Sequence, residues 1–223
     1  VGVPAAVSNA INPAGLAVVT AAVAVIGDAA VAGFGAAARV QSLLFVPMLA
    51  LSSGLGPVVG QAWGADNRAR AGDALRLSFG LCLGYGVFVA IGMIFLADPI
   101  ARVMTNGDGA TAYTADYLRV VAWGFFGYGM LVTANAAMNA RDRALWSMGL
   151  SALRIAVVFI PLAWAGVWLL GYGGILAATV IANLAGAWGA LVAARAVGLL
   201  RVNWGVVRLP ALRLARALPR MPN

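Results

Sequence analysis

Histidine, lysine and glutamate are missing from this chain of 223 residues, so its bases are 15 arginines and its acids seven aspartates. Without histidine there is no imidazole acid–base catalysis and no zinc site with histidine ligands; without lysine there is no Schiff base. The single cysteine, Cys82, lies inside an apolar stretch, where it can form no intrachain disulfide or thiolate cluster and reads as a small buried hydrophobe. Charge is scarce too. Charged residues make up 10% of the chain against 63% hydrophobic, too little polar surface to cover a water-soluble globule. No basic stretch precedes the first apolar run, so no cleavable signal peptide is read, and the abrupt start at Val1-Gly-Val-Pro suggests a missing upstream part.

What is present is apolar sequence in runs of about 20 residues or more, the length that crosses a bilayer's hydrocarbon core. The pattern predicts an all-α membrane protein with six transmembrane helices near 3–26, 36–60, 75–97, 113–139, 145–169 and 173–197, forming one lobe over 1–198 with a basic tail over 199–223. Asp28 with nearby glycines marks the first break. Pro57 to Ala71 marks the second, Asp98-Pro99 with Asn106-Gly-Asp-Gly109 the third, Arg141-Asp-Arg143 the fourth and Gly171-Tyr-Gly-Gly174 the fifth. In the second break, Gly60, Gln61 and Gly64 are expected to turn the chain sharply, with the arginines holding it at a charged surface. Gly80 with Gly84, and Ala182 with Gly186 and Ala190, have the spacing of small-residue helix contacts.

A net charge of +8 suits nucleic acid or anionic lipid. The arginines fall in short segments between apolar spans and in the tail, which fits lipid headgroups and excludes nucleic acid as the expected partner. Arg68, Arg70 and Arg76 between helices 2 and 3, Arg141 and Arg143 between helices 4 and 5, and Arg195, Arg201, Arg208, Arg213, Arg216 and Arg220 near the end share one side of a six-span topology. The positive-inside rule puts that side, and both termini, in the cytoplasm of a cell membrane, a bacterial inner membrane.

Polar groups inside spans tend to face an interior or a cavity. None of the seven aspartates is near the middle of a span, so the simplest device for binding H⁺ or Na⁺ is missing. Asn9, Asn12 and Pro13 form one candidate cavity group, since the proline frees a carbonyl near Asn9; the same asparagines could simply satisfy the broken helix. Gln41, near the outer end of helix 2, is a separate candidate, and helix 4 with Tyr128, Thr133 and Asn135 offers a second cavity face or simple interhelical hydrogen bonds. Tyr128 and Asn135, seven apart, share a face. Asn183 reads as interhelical glue. Arg154 lies roughly 12–15 Å along helix 5 at 1.5 Å per residue and either snorkels to the headgroups or faces an aqueous cavity as a fixed cation.

The run Gly35-Ala-Ala-Ala-Arg39-Val, then Pro47, then Pro57-Val-Val-Gly60-Gln61-Ala-Trp-Gly64-Ala65 and Arg70-Ala71 resembles the multidrug and toxic compound extrusion (MATE) family. Tyr117-Leu118-Arg119, Asn139-Ala-Arg-Asp142, Leu153-Arg154-Ile and Ile160-Pro161-Leu fit in order and spacing. The resemblance covers about residues 1 to 198 and makes Gly60, Gln61, Gly64, Ala65 and Arg70 a family-marker loop. It implies a twelve-helix antiporter of two six-helix lobes around a central cavity, exporting cationic or amphipathic small molecules in exchange for H⁺ or Na⁺. This chain would supply the C-terminal lobe and need a second six-helix lobe, from the same full-length chain, as its partner.

Sodium-coupled members carry intramembrane acids on the helices corresponding to 1 and 4. Their absence here moves any coupling ion to the other lobe, and no cofactor or metal is expected. The alternatives are a lipid-linked oligosaccharide flippase of the same superfamily, which would favour a strongly cationic cavity, and a non-catalytic membrane assembly protein. An intramembrane enzyme lacks the catalytic groups it would need.

Overall fold

Three helix ends are set by an aspartate or asparagine in the left-handed region: Asp66 (φ 52°), Asn106 (φ 51°) and Asp142 (φ 57°). Their short polar side chains tolerate that backbone better than other L-residues do. With Gly27 (φ 133°) and Gly171 (φ 60°) they divide the chain into helices. In the computed structural model, which describes residues 15–106 and 109–200, these are α1 (Gly15–Ala24), α2 (Asp28–Gly64), α3 (Arg68–Thr105), α4 (Ala110–Asn139), α5 (Ala144–Leu170) and α6 (Tyr172–Ala196). The last five are each long and apolar enough to cross a membrane. No strand occurs among the described residues, and the all-α lobe is the observed architecture.

The helices outrun their expected bounds. With 37 and 38 residues, α2 and α3 are rods of about 55 Å, well beyond the roughly 30 Å hydrocarbon core. The expected segment between helices 2 and 3 therefore shrinks to Ala65–Asn67, and its reading as a glycine-driven elbow is corrected. Gly60, Gln61 and Gly64 are helical, closing α2, while Arg70 lies in the first turn of α3. Asp66 supplies the left-handed step, and Asn67 Oδ1 caps α3 by accepting the Arg70 backbone N–H at 3.1 Å. Arg68 folds back onto Asp66 at 3.1 Å. The expected break at Asp98-Pro99 is likewise absent. Pro99 is carried inside α3, and Asp98 is held by an ion pair from Arg119 on α4. The tail from 201 onward lies outside the described residues.

At the centre is α4, packed on α2, α3, α5 and α6. It feeds two buried apolar clusters, one around Phe34, Leu118, Phe125 and Ile175 and the other around Leu55, Leu75, Leu131 and Met138. Val19, Ala22 and Val23 bring α1 into the first cluster. Close approach of α3 to α4 is made at Gly86, where an added Cβ would meet Phe126 Cβ at 2.6 Å and its backbone N at 2.7 Å. The expected Gly80–Gly84 contact does not form: an added Cβ at either would meet nothing within 4 Å. Those glycines point outward, because the spacing of 80 and 84 falls on the face of α3 opposite Phe79, Cys82 and Gly86. By contrast Ala182, Gly186 and Ala190 are buried.

Sidedness follows from two contacts. Trp63, at the end of α2, lies 3.5 Å from the Arg141 guanidinium in the α4–α5 turn. Leu199, just past α6, sits against Gly72 in α3. The Arg68–Arg76 and Arg141–Arg143 segments and the end of α6 thus share one end of the bundle. The other end is closed by the Tyr172 hydroxyl donating to Tyr113 O at 3.1 Å and by the Thr114 hydroxyl donating to Gly33 O at 3.2 Å.

Gly86→Ala is expected to lower stability by about 1–3 kcal/mol, since the facing atoms include backbone that cannot move aside. Gly80→Ala is expected to leave it unchanged or slightly raised. Thermal unfolding of the detergent-solubilised protein separates the two variants.

Candidate functional site

A polar group is built at the level where the two apolar clusters meet. Along α4 the first cluster ends at Phe125 and the second begins at Met130. Tyr128 lies between them. Along α6 the same gap falls between Ala178 and Ala187 and holds Asn183. Along α5 it lies between Leu150 and Ala163 and holds Arg154. One polar layer therefore crosses the lobe at mid-depth.

Arg154 does not snorkel. Its Nη2 donates to Asn183 Oδ1 at 3.1 Å, and the guanidinium carbon lies 5.3 Å from the Tyr128 ring centroid. Its half-buried side chain is turned toward α4 and α6. The reason is local: Leu153–Phe159 is a π-helical turn, and Pro161 has no N–H to donate to the Val157 carbonyl. The extra residue in the turn shifts the face on which Arg154 sits. Cβ at Gly186 would lie 3.1 Å from Arg154 Cδ, so a small residue on α6 leaves room for the arginine stem.

Aromatic rings complete the frame. Tyr128 stacks on Phe45 of α2 with centroids 4.2 Å apart and an interplanar angle of 17°. Phe125 meets the same Phe45 edge-on at 4.9 Å. One turn away along α2, Gln41 Oε1 accepts a hydrogen bond from the Tyr117 hydroxyl. A positive charge over an aromatic face is attracted by the ring quadrupole, more strongly where water is excluded. Here Tyr128 lies between the Phe45 ring and the Arg154 guanidinium, so the charge, the two rings and the Asn183 amide form one connected group.

The candidate residues divide as follows. Tyr128 and Arg154 belong to this layer, whereas Gln41 lies one turn away along α2 and pairs with Tyr117 of the first apolar cluster. Asn135 is on the Tyr128 face and also meets α5, where its Nδ2 donates to Ser151 Oγ at 2.9 Å. Thr133 does not join them; it is buried and its hydroxyl donates to Gly129 O at 2.8 Å and Met130 O at 3.1 Å, back-bonding to its own helix. Asn9, Asn12 and Pro13 lie outside the described residues. Gly60, Gln61, Gly64, Ala65 and Arg70 are remote, since Gly60 is about 22 Å along α2 from Phe45 by the helical rise. Asn183 does join two helices, as its reading as interhelical glue has it, while sequence reasoning missed Phe45 and did not name Arg154 as the partner. The signal for both was Arg154 itself: a mid-span charge demands a polar acceptor, and Pro161 four residues after Val157 marks the irregular turn that redirects it.

The described helices form an all-α lobe, five of them long and apolar enough to cross a membrane. The profile of the MatE family matches residues 4–165, and the chain belongs to that family. It is 34% identical over 181 residues to a protein named FAD transporter from Shewanella oneidensis, covering 81% of this chain and 40% of that one. It is 32% identical over 115 residues to a probable multidrug resistance protein, NorM, of Aromatoleum aromaticum, covering 48% of this chain and 25% of that one. The Vibrio cholerae MATE transporter VcmN in its bent form superposes with a TM-score of 0.84 at 24% identity, over 88% of this chain and 44% of that one. The chain thus spans less than half the length of each of these proteins.

Asn183→Ala is expected to cost about 1.5–3 kcal/mol, the worth of a hydrogen bond to a charged group. Thr133→Val, which loses only a bond within its own helix, is expected to change stability far less. Thermal unfolding in detergent measures both.

Proposed function

We propose that this chain forms one lobe, the C-terminal one, of a secondary active exporter that works by alternating access. The partner is a second six-helix lobe, and the exchanged ion is H⁺ or Na⁺ bound in that other lobe. Support for a missing partner comes from α2, whose long outer face exposes Leu43, Val46, Leu49 and Val58 beside Ser42 and Ser53. Positive-inside placement of the arginine-rich end puts it in the cytoplasm of a bacterial inner membrane. Transport needs no catalytic group, which accords with a chain lacking His, Lys and Glu.

The observation that carries the cargo reading is Arg154 at mid-depth beside Tyr128 and Phe45. A fixed guanidinium in a low-dielectric interior repels a cation and attracts an anion, while the stacked rings offer a π-surface. The cargo proposed for this lobe is therefore an amphipathic molecule with an aromatic system and a negative group, a chemistry that the name of the Shewanella oneidensis relative shares. A second reading, export of cationic xenobiotics, is favoured by the likeness to NorM and would place the cation against the other lobe.

Inverted membrane vesicles from cells expressing the transporter test this. Gradient-driven accumulation of flavin adenine dinucleotide is expected, lost on adding an ionophore, and reduced about tenfold or more by Arg154→Gln, in line with loss of a charged partner worth 1.5–3 kcal/mol. Accumulation of cationic dyes alone, indifferent to Arg154→Gln, would establish the second reading instead.

A further inference from the structure

Far from the mid-depth layer, the arginine-rich end of the bundle carries a second, separate constellation. The Trp63 indole at the end of α2 is flanked by two guanidinium groups. Arg141 from the α4–α5 turn lies 3.5 Å from its ring centroid, and Arg68 from the start of α3 lies 5.4 Å away. Arg143 is close enough to act on Arg141 electrostatically. Partial burial first, then Arg143 and then Arg68, lowers the affinity of the Arg141 guanidinium for its proton. Like charges drawn together on one ring need something to hold them.

Only part of that is visible within the chain. Asp66 pairs with Arg68 at 3.1 Å. The Nε and Nη1 atoms of Arg141 are buried and have no hydrogen-bond partner among the described residues. Asp142, next in sequence, makes no ion pair among the described residues. Two guanidinium groups from different hairpin turns flank the Trp63 ring, with Arg143 two residues past Arg141 in the second turn.

Beside the cluster the surface becomes apolar at once. Leu145 and Trp146, in the first turn of α5 directly after Arg143, are 68% and 46% exposed. A dissolved anion makes no use of such a wall. A phospholipid does, with its phosphodiester against the arginines and its acyl chains along Leu145 and Trp146. Trp63 and Trp146 lie at the ends of spanning helices, where tryptophan commonly anchors a membrane protein at the interface.

We propose that Arg141, Arg143 and Arg68 around Trp63 form a binding site for the headgroup of an anionic phospholipid. The bound phosphodiester bridges the α2–α3 and α4–α5 turns and relieves the crowding of positive charge between them. Basic pockets between membrane helices on the positively charged side recognise anionic headgroups in this way, and arginine presents paired donors that match phosphate oxygens. The site lies at the opposite end of α2 from its Gly27 start and does not depend on what the transporter carries.

The test is native mass spectrometry of the full chain in detergent, with dioleoyl phosphatidylglycerol, dioleoyl phosphatidylcholine or inorganic phosphate added. Phosphatidylglycerol is expected to remain bound at collision energies that strip phosphatidylcholine. Arg141→Gln and Arg143→Gln are each expected to lower its bound fraction about fivefold, while Arg39→Gln, on an exposed face elsewhere, leaves it unchanged. Arg143 is an exposed side chain, so its variant keeps the test sound even if Arg141→Gln disturbs folding, and circular dichroism checks both. Equal retention of the two lipids overturns the proposal, as does phosphatidylglycerol binding that survives Arg143→Gln intact. Displacement of phosphatidylglycerol by millimolar phosphate overturns it as well, because the site would then recognise a free anion.

Discussion

One buried positive charge organises the interior of this lobe. Hydrocarbon does not hold a guanidinium without polar partners, so everything at the depth of Arg154 has to accommodate it. Asn183 supplies an acceptor from α6 and Tyr128 a ring face from α4. Phe45 on α2 backs that ring. The two apolar clusters above and below leave a gap at this level on α4, α5 and α6 alike. Packing also yields: an added Cβ at Gly124 would lie 3.1 Å from Asn183 Nδ2, so α4 and α6 approach closely where the acceptor is set. A small residue at 124 makes room for the acceptor, and the irregular turn at Leu153–Phe159 directs the charge toward it.

The long helices connect that layer to the surface. α2 carries Gln41 and Phe45 near the polar layer and Trp63 at the arginine-rich end, and it contains Pro47 and Pro57. Each proline removes a backbone donor and weakens the rod locally. Serine hydroxyls take up carbonyls nearby: Ser53 donates to Leu49 O at 3.0 Å, and Ser52 donates across to Val132 O of α4 at 3.0 Å. The rod therefore stays continuous while keeping two points at which it can bend. A change of angle at either proline would alter the position of Phe45 relative to Trp63, which links the mid-depth frame to the turns at the charged end.

What was legible in the sequence depended on how local each feature is. Six apolar segments, their arginine asymmetry and the family motifs are properties of composition along the chain, and the architecture agrees with them. Helix ends were harder, because they rest on backbone conformation at single residues. Glycine was expected to make the turn after α2, yet Asp66 makes it and Gly60 and Gly64 remain helical. Pro99 was read as a stop but is absorbed within α3. The Gly80–Gly84 spacing matched a packing pattern whose partner is on the other face of the helix. Arg154 was ambiguous for a deeper reason. Its direction is set by a π-helical turn, and no periodicity argument made with 3.6 residues per turn can follow a side chain through one.

The absence of mid-membrane aspartate changes what Arg154 can contribute. A carboxylate can take up and release a proton during a cycle, whereas an arginine keeps its charge under all physiological conditions. Within the proposed transport cycle, this lobe therefore supplies a constant electrostatic preference and leaves ion exchange to another element. A constant preference acts most strongly when water is excluded, since the interaction of two charges grows as the effective dielectric falls. Selectivity would then rise as the lobes close around the cargo and fall as they open. The same fixed charge would hold the cargo when the cavity is shut and release it when water returns.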